Sequence, residues 1–280
     1  MYMPVTQQDI TTGKNFILRR EQAANGLASL IDALLEDAAT QITQICYRYG
    51  IDPTRFTISP NYNPDMFKEI AEVLDILEEA ILDLISSYAT KCTKDEKKKP
   101  LLLLWILTLG KNNKGLKKSL EEHIRMFLKD LEAMITATAS DKMLENKALA
   151  FIKSYLHSVY QMPSVQRAIK KASLYKAENI RTGGVKHGNV GSSSSEANNI
   201  LRFAKMTVQM AWMRYHIELY EEQGAVGYYV MRGSTYPCEI CDSMTGFHDI
   251  GDKDGYPMYH ANCCCFTVPI FEKDLETLMQ

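Results

Sequence analysis

The sequence predicts a mainly α protein, with a multi-helix, bundle-like body followed by a small α+β module at the C-terminal end. Three observations carry this reading. Apolar residues recur at spacings of three and four through most of the chain up to residue 222. Short β-prone runs are confined to the stretch after Gly224. Five of the seven cysteines fall within 28 residues of that same stretch, 238–265, together with His260. A stretch so rich in Cys and so poor in apolar core residues is best held by a metal, and the module is expected to be zinc-stapled.

Composition bounds the rest. A chain of 280 residues can form one large domain or two ordinary ones. Hydrophobic residues at 46% and charged residues at 24% are ordinary for a soluble globular protein and permit a sizeable core. A net charge of -2 excludes a global field that would drive the chain onto nucleic acid. The first residues, Met1-Tyr2-Met3-Pro4-Val5, open no apolar stretch of the secretory type. The longest apolar run, 101–109, has nine residues, about half of the roughly 20 that span a bilayer. It is expected to be a buried helix turn or a strand. Seven cysteines without export argue for reduced thiols. Cys46 and Cys92, isolated in helical patterns, read as small core residues.

Taken in order, residues 1–18 are polar and aperiodic, a tail or docking arm. From Arg19 an apolar stripe runs through Leu27, Leu30, Ile31, Leu34, Ala38, Ile42 and Ile45, and Gly50 stops it. Asn63-Pro64-Asp65 combines a capping side chain, proline at the first helical position and an early acid. The helix it opens carries Ile70, Leu74, Leu77, Ile81, Leu84 and Tyr88. The charged stretch 90–100, ending in Pro100, is the expected boundary, and Lys97-Lys98-Lys99 reads as a solvated face. A turn at 110–115 precedes an amphipathic helix with Leu116, Leu120, Ile124, Phe127, Leu131 and Met134, beside which His123 is a boundary residue. A helix from about 144 to 159 and a weaker one to about 180 follow. The Gly- and Ser-rich run 181–195 reads as a flexible loop. A long helix over 196–222, capped by Ser195, ends at Gly224. Strands are expected at 226–231, 246–250 and 265–270. The expected divisions are 1–99, an arm and helical hairpin; 100–224, the helical body; and 225–280, the β-rich zinc module.

The chemistry concentrates in the module. Cys238-x-x-Cys241, 18 intervening residues, then His260 with Cys263 or Cys265, is the spacing of a tetrahedral zinc site. Four N/S ligands leave no open position, so such a site is structural. On an extended chain Cys263 and Cys265 face one way and Cys264 the other. One of that pair is therefore expected as ligand, with the other as neighbour or alternative and Cys264 as a third candidate thiol. His248 is a less favoured substitute. Two enzyme readings compete. His216-x-Glu218 followed by Pro237-Cys238-x-x-Cys241 formally matches the zinc deaminase signature, in which His and Cys hold zinc and Glu moves protons. It places the His-Glu pair late in a long helix, offers no upstream strands for that fold, and leaves His260 unused. A zinc-stapled nuclease would use His248 or His260 as base with Asp249, Asp252, Asp254 or Asn262. Nothing in their spacing distinguishes that from a polar turn.

The same end of the chain resembles the phage Mu F-like minor head proteins, the head-morphogenesis family. The resemblance rests on Tyr228-Tyr229-Val230, Cys238-Glu239-Ile240-Cys241, Gly246-Phe247, Pro257, His260-Ala261-Asn262-Cys263-Cys264-Cys265 and Val268-Pro269-Ile270. The order of elements agrees over 116–270, and the specific motif covers some 40 of those residues. Ala261 stands where the family usually has Pro, and Cys264 where it has Arg. Residues 1–100 lie outside the resemblance. It implies a non-enzymatic minor capsid component of a phage or prophage. Such a protein is made in few copies and associates with the portal protein and other capsid proteins. It assists head morphogenesis or DNA delivery, with DNA contact as a further expectation, and needs neither a membrane nor a small-molecule substrate. Its expected location is the host cytoplasm during assembly and then the virion, inside the capsid or at the portal vertex.

Overall fold

The stripe that begins near Arg19 belongs to a longer helix, α1 (Gln7–Tyr49), in the computed structural model of the chain. The structure describes residues 5–108, 115–141, 147–157, 195–235, 237–252, 255–259 and 263–274. Part of the expected N-terminal arm is therefore helical, and its start is chemically marked. Thr6 Oγ1 accepts from the Asp9 N–H at 3.2 Å, while Asp9 Oδ2 accepts from the Thr6 N–H at 2.9 Å. This reciprocal capping box satisfies two otherwise orphaned donors. Gly50 and Gly224, both with φ 78°, end helices as the sequence predicts.

Helix α2 (Pro64–Thr90) starts where Asn63 Oδ1 accepts from the Met66 N–H at 3.1 Å. Its buried stripe is Met66, Ile70, Leu77, Ile81 and Ile85, with Leu74 and Leu84 on the flanks. The 101–109 run forms helix α3 (Lys98–Thr108), with Pro100 in the first turn, where its missing N–H is cheap. Only one face is core. Leu102 and Ile106 are buried, whereas Leu101, Leu104 and Leu107 are 69%, 63% and 54% exposed. Burial was expected for the whole run, and a continuous apolar run carries no period from which to read that face.

Helices α4 (Leu116–Ser140), α5 (Ala148–Tyr155) and α6 (Glu196–Glu222) complete the described body. Ser195 Oγ accepts from the Asn198 N–H at 3.4 Å at the start of α6. The expected turn after 109, the weaker helix to about 180 and nearly all of the 181–195 loop lie outside the described residues. Beyond α6 come β1 (Gly227–Met231), the single-turn helix α7 (Glu239–Ser243), β2 (Gly246–Asp249) and β3 (Phe266–Ile270). The three strands form an antiparallel sheet in the order β2-β1-β3. Pro269 lies on edge strand β3, opposite Tyr228, where a missing donor is tolerated. The fold is thus mainly helical, with a small sheet and a cysteine cluster at the C-terminal end. Among the described residues no helix is long and apolar enough to cross a membrane.

The chain divides into two compact units. One joins Met1–Leu27, Ile85–Ile106 and Ala204–Gln280; the other joins Ala28–Leu84 and Leu107–Phe203. The second is a helical core of Ile31, Leu35, Ile42, Ile70, Phe127 and Leu131. There Glu132 Oε2 accepts from the Ile58 N–H at 2.7 Å and from Thr57 Oγ1 at 3.0 Å, fixing the loop before α2. The first unit packs the start of α1 and the end of α6 with the sheet. Phe16 stacks on His216 with ring centroids 3.8 Å apart, and the Tyr220 hydroxyl donates to the Thr267 carbonyl at 3.0 Å.

Candidate metal centre

Two short segments bring the thiols together. Cys238 is extended, and its carbonyl accepts from the Asp242 N–H at 2.8 Å to open α7. That single turn directs Cys241 inward, where it is buried. On the other side, residues 263–265 run into β3. Cys263 and Cys265 are buried and Cys264 between them is half-buried, the alternation of an extended chain. Ile217, Tyr220, Tyr228 and Val230 wall the cluster.

The Sγ atoms of Cys241 and Cys263 are 4.0 Å apart, and those of Cys241, Cys263 and Cys265 all lie within 4.8 Å of one another. A disulfide would need about 2.05 Å, and all seven cysteines are free. Tetrahedral ligands at a metal–sulfur distance of about 2.3 Å sit roughly 3.8 Å from each other. The Cys241–Cys263 separation is close to that edge, and the three cysteines together could hold an ion. The sequence expects one of Cys263 and Cys265 as ligand with the other as neighbour; the structure brings both to Cys241.

Burial and then the neighbouring Cys263 push the Cys241 thiol up to about 12. A hydrogen bond with Cys263, followed by burial, pushes Cys265 well above the ordinary thiol range. Burial raises Cys264 as well. Burial raises all three. Several thiolates cannot coexist in an apolar pocket without a compensating cation. A dication supplies that compensation, and its binding must displace the thiol protons.

Cys238 is half-buried against the same apolar cluster, and its hydrogen bond is among the causes that raise Cys241. It is the fourth thiol nearest to hand. His260 lies outside the described residues, as do Asp254 and Asn262. His216 stacks on Phe16 and approaches the Tyr256 hydroxyl at 3.3 Å, while Glu218 pairs with Arg214 Nε at 2.8 Å. Neither belongs to the thiol cluster. His248 has both ring nitrogens engaged, by Asp252 Oδ2 at 2.8 Å and the Met244 carbonyl at 3.0 Å. Asp252 also accepts from the Gly255 N–H, and Asp249 from the Gly251 N–H.

Sequence reasoning missed two residues that hold the 263–265 segment. Arg20, fully buried, donates to the Cys263 carbonyl at 2.6 Å. Gly233 lies so close that a Cβ there would come within 1.9 Å of the Cys264 carbonyl oxygen. Neither carries a local signal, because each partner is distant in sequence. No protein family, curated protein or solved structure matches this chain.

Proposed function

We propose that this chain is a structural component of a phage or prophage particle, a minor head protein of the Mu F-like type, and not an enzyme. Its C-terminal module is stapled by zinc. The observation that carries the zinc reading is the convergence of Cys241, Cys263 and Cys265, all buried and with their Sγ atoms within 4.8 Å of one another, inside an apolar wall. Soft thiolate donors in a tetrahedral arrangement suit Zn²⁺, with Cys238 or His260 completing the shell. A shell of four protein ligands has no position for a reacting water. The engagement of His216 with Phe16 and Tyr256, and of Glu218 with Arg214, favours the structural reading over deaminase chemistry.

The partners on this reading are the portal protein and neighbouring capsid proteins. DNA contact is secondary: of the lysine run at 97–99, Lys98 pairs with Glu222 and Lys99 with Glu96. Assembly takes place in the host cytoplasm, and the protein ends inside the virion or at the portal vertex. Two measurements test this. Metal analysis of the purified full chain should give one zinc per chain, and zinc-free protein with an intact fold would overturn the staple. Mass spectrometry of particles purified after induction should find the chain at low copy number. Its absence from particles would overturn the capsid role.

A further inference from the structure

The guanidinium of Arg20 is the most deeply buried charge in the described structure. Its residue is 0% exposed, although it sits in the first third of α1, far from the module in sequence. Burying such a group costs several kcal/mol unless charge and hydrogen bonds offset it. Its partners are few. Glu21 Oε1 receives its Nε at 3.2 Å and its Nη2 at 2.8 Å. The Cys263 carbonyl receives Nη2 at 2.6 Å. Among the described residues Nη1 has no hydrogen-bond partner. Glu21 is itself held, since the Gln209 amide donates to its two oxygens at 2.7 and 2.9 Å. Gln209 is 1% exposed.

This arrangement is more than a helix-to-loop tie. The arginine grips the backbone of a candidate ligand, Cys263, and Gln209 holds the guanidinium's partner, Glu21, in place. Three thiolates on a divalent ion leave a net charge of −1, and four leave −2. Arg20 and Glu21 together are neutral, so the pair imposes no charge of its own on the metal-free pocket.

We propose that Arg20 is a positioning residue of the cysteine metal centre. Through the Cys263 carbonyl it fixes the 263–265 segment with both flanking thiols turned toward Cys241. Metal occupancy and the docking of the start of α1 are thereby linked: losing one weakens the other. The proposal rests on the metal reading of the preceding subsection.

The test uses the full chain, with Zn²⁺ affinity measured by competition with a chromophoric chelator and Co²⁺ loading followed by thiolate charge-transfer absorption. Loss of a partner that orients a ligand typically costs about 10- to 100-fold in metal affinity. Arg20→Met, close in length and uncharged, is expected to lose that much and to alter the Co²⁺ spectrum. Arg20→Lys keeps the charge but not the fork that reaches Glu21 and Cys263 together, and should lose less. Leu27→Ala, a core truncation in the same helix, should lower the melting temperature and leave metal affinity unchanged. Wild-type affinity in Arg20→Met overturns the proposal. If Arg20→Met does not fold, Arg20→Lys decides, and wild-type affinity and spectrum there overturn it. If the wild-type chain binds neither ion, the metal reading itself fails and takes this inference with it.

Discussion

Protonating His216 should destabilise the fold, because the ring is held neutral between aromatic side chains. It stacks on Phe16 at 3.8 Å with the planes 8° apart and lies 4.6 Å from the Tyr220 ring. Burial, reinforced by the charges of Arg19 and Arg20, depresses its pKa from 6.5 to about 3. The sign follows from where the protons go. Between these two values the unfolded chain binds a proton that the folded chain refuses. Stability is therefore full above pH 6.5 and falls as pH drops toward 3. Each pH step below 6.5 costs about 1.4 kcal/mol, so the descent to pH 5 costs about 2 kcal/mol. Water at the partly exposed edge of the residue screens some of this, which places the measurable loss at roughly 1–2 kcal/mol. The variant is His216→Phe, which keeps a flat ring against Phe16 but cannot titrate. Losing the contact to Tyr256 offsets its stability equally at all pH values. Urea unfolding at pH 7 and pH 5 gives the difference for each protein. Proton uptake by carboxylates and by the thiol centre is common to both and cancels. The wild type should lose roughly 1–2 kcal/mol more than His216→Phe over that interval. Equal losses would refute a buried neutral imidazole.

Cys238→Ser should loosen 231–270 while the helices of the body persist, so limited proteolysis of that region should quicken, and chelator should have the same effect on wild type. Unchanged cleavage would argue against a metal staple. Gly233→Ala forces a Cβ to within 1.9 Å of the Cys264 carbonyl oxygen, and overpacking of this kind costs about 1–3 kcal/mol. A melting temperature equal to wild type would contradict the close approach. Asn63→Ala removes the cap of α2 and should cost about 1 kcal/mol in urea unfolding; no change would mean that another group supplies the Met66 N–H. Glu132→Ala leaves the buried Ile58 N–H without its carboxylate, at a cost of about 1.5–3 kcal/mol. Amide exchange at Ile58 should accelerate, and unaltered protection would refute the anchor.

How much of this was legible depended on the range of the interactions involved. Periodicity located the helical body because 3.6-residue spacing is a local property, and the chemistry of Asn63-Pro64-Asp65 placed the start of α2 at its observed residue. The three strands appeared where β-prone runs stood between turn residues. Strand alternation anticipated that Cys263 and Cys265 share a side. The start of α1 was missed because Thr6 and Asp9 cap a turn that has no apolar period to announce it. The exposed leucines of α3 were missed because a run of apolar residues has no faces until tertiary packing selects one. Arg20 was illegible for a stronger reason. Its partner carbonyl is 243 residues away, and no local rule ties a helical arginine to a distant loop.

That long-range tie bears on why a metal would be used here at all. The sheet has strands of five, four and five residues, too small to be stable by itself. Between Met231 and Cys263 the buried members of the described residues are Cys241, Gly255 and Pro257. Such a segment gains little from apolar burial, while ordering its backbone costs about 1–2 kcal/mol per residue. Hydrogen bonds such as His248 to Asp252 and Tyr259 to the Gly255 carbonyl fix its turns, but each adds only about 1 kcal/mol net. An ion bridging Cys241 on α7 to Cys263 and Cys265 at the entry to β3 would close the segment at both ends, and the free energy of that binding would become folding free energy. Closing the segment alone would leave a stapled loop free to move against the helices. Arg20, paired with Glu21 (which Gln209 holds in turn) and bonded to the Cys263 carbonyl, ties that end to α1. A catalytic centre needs an open coordination position and an approach for substrate. Buried thiols tied through a backbone carbonyl to a buried guanidinium support the structural role proposed above.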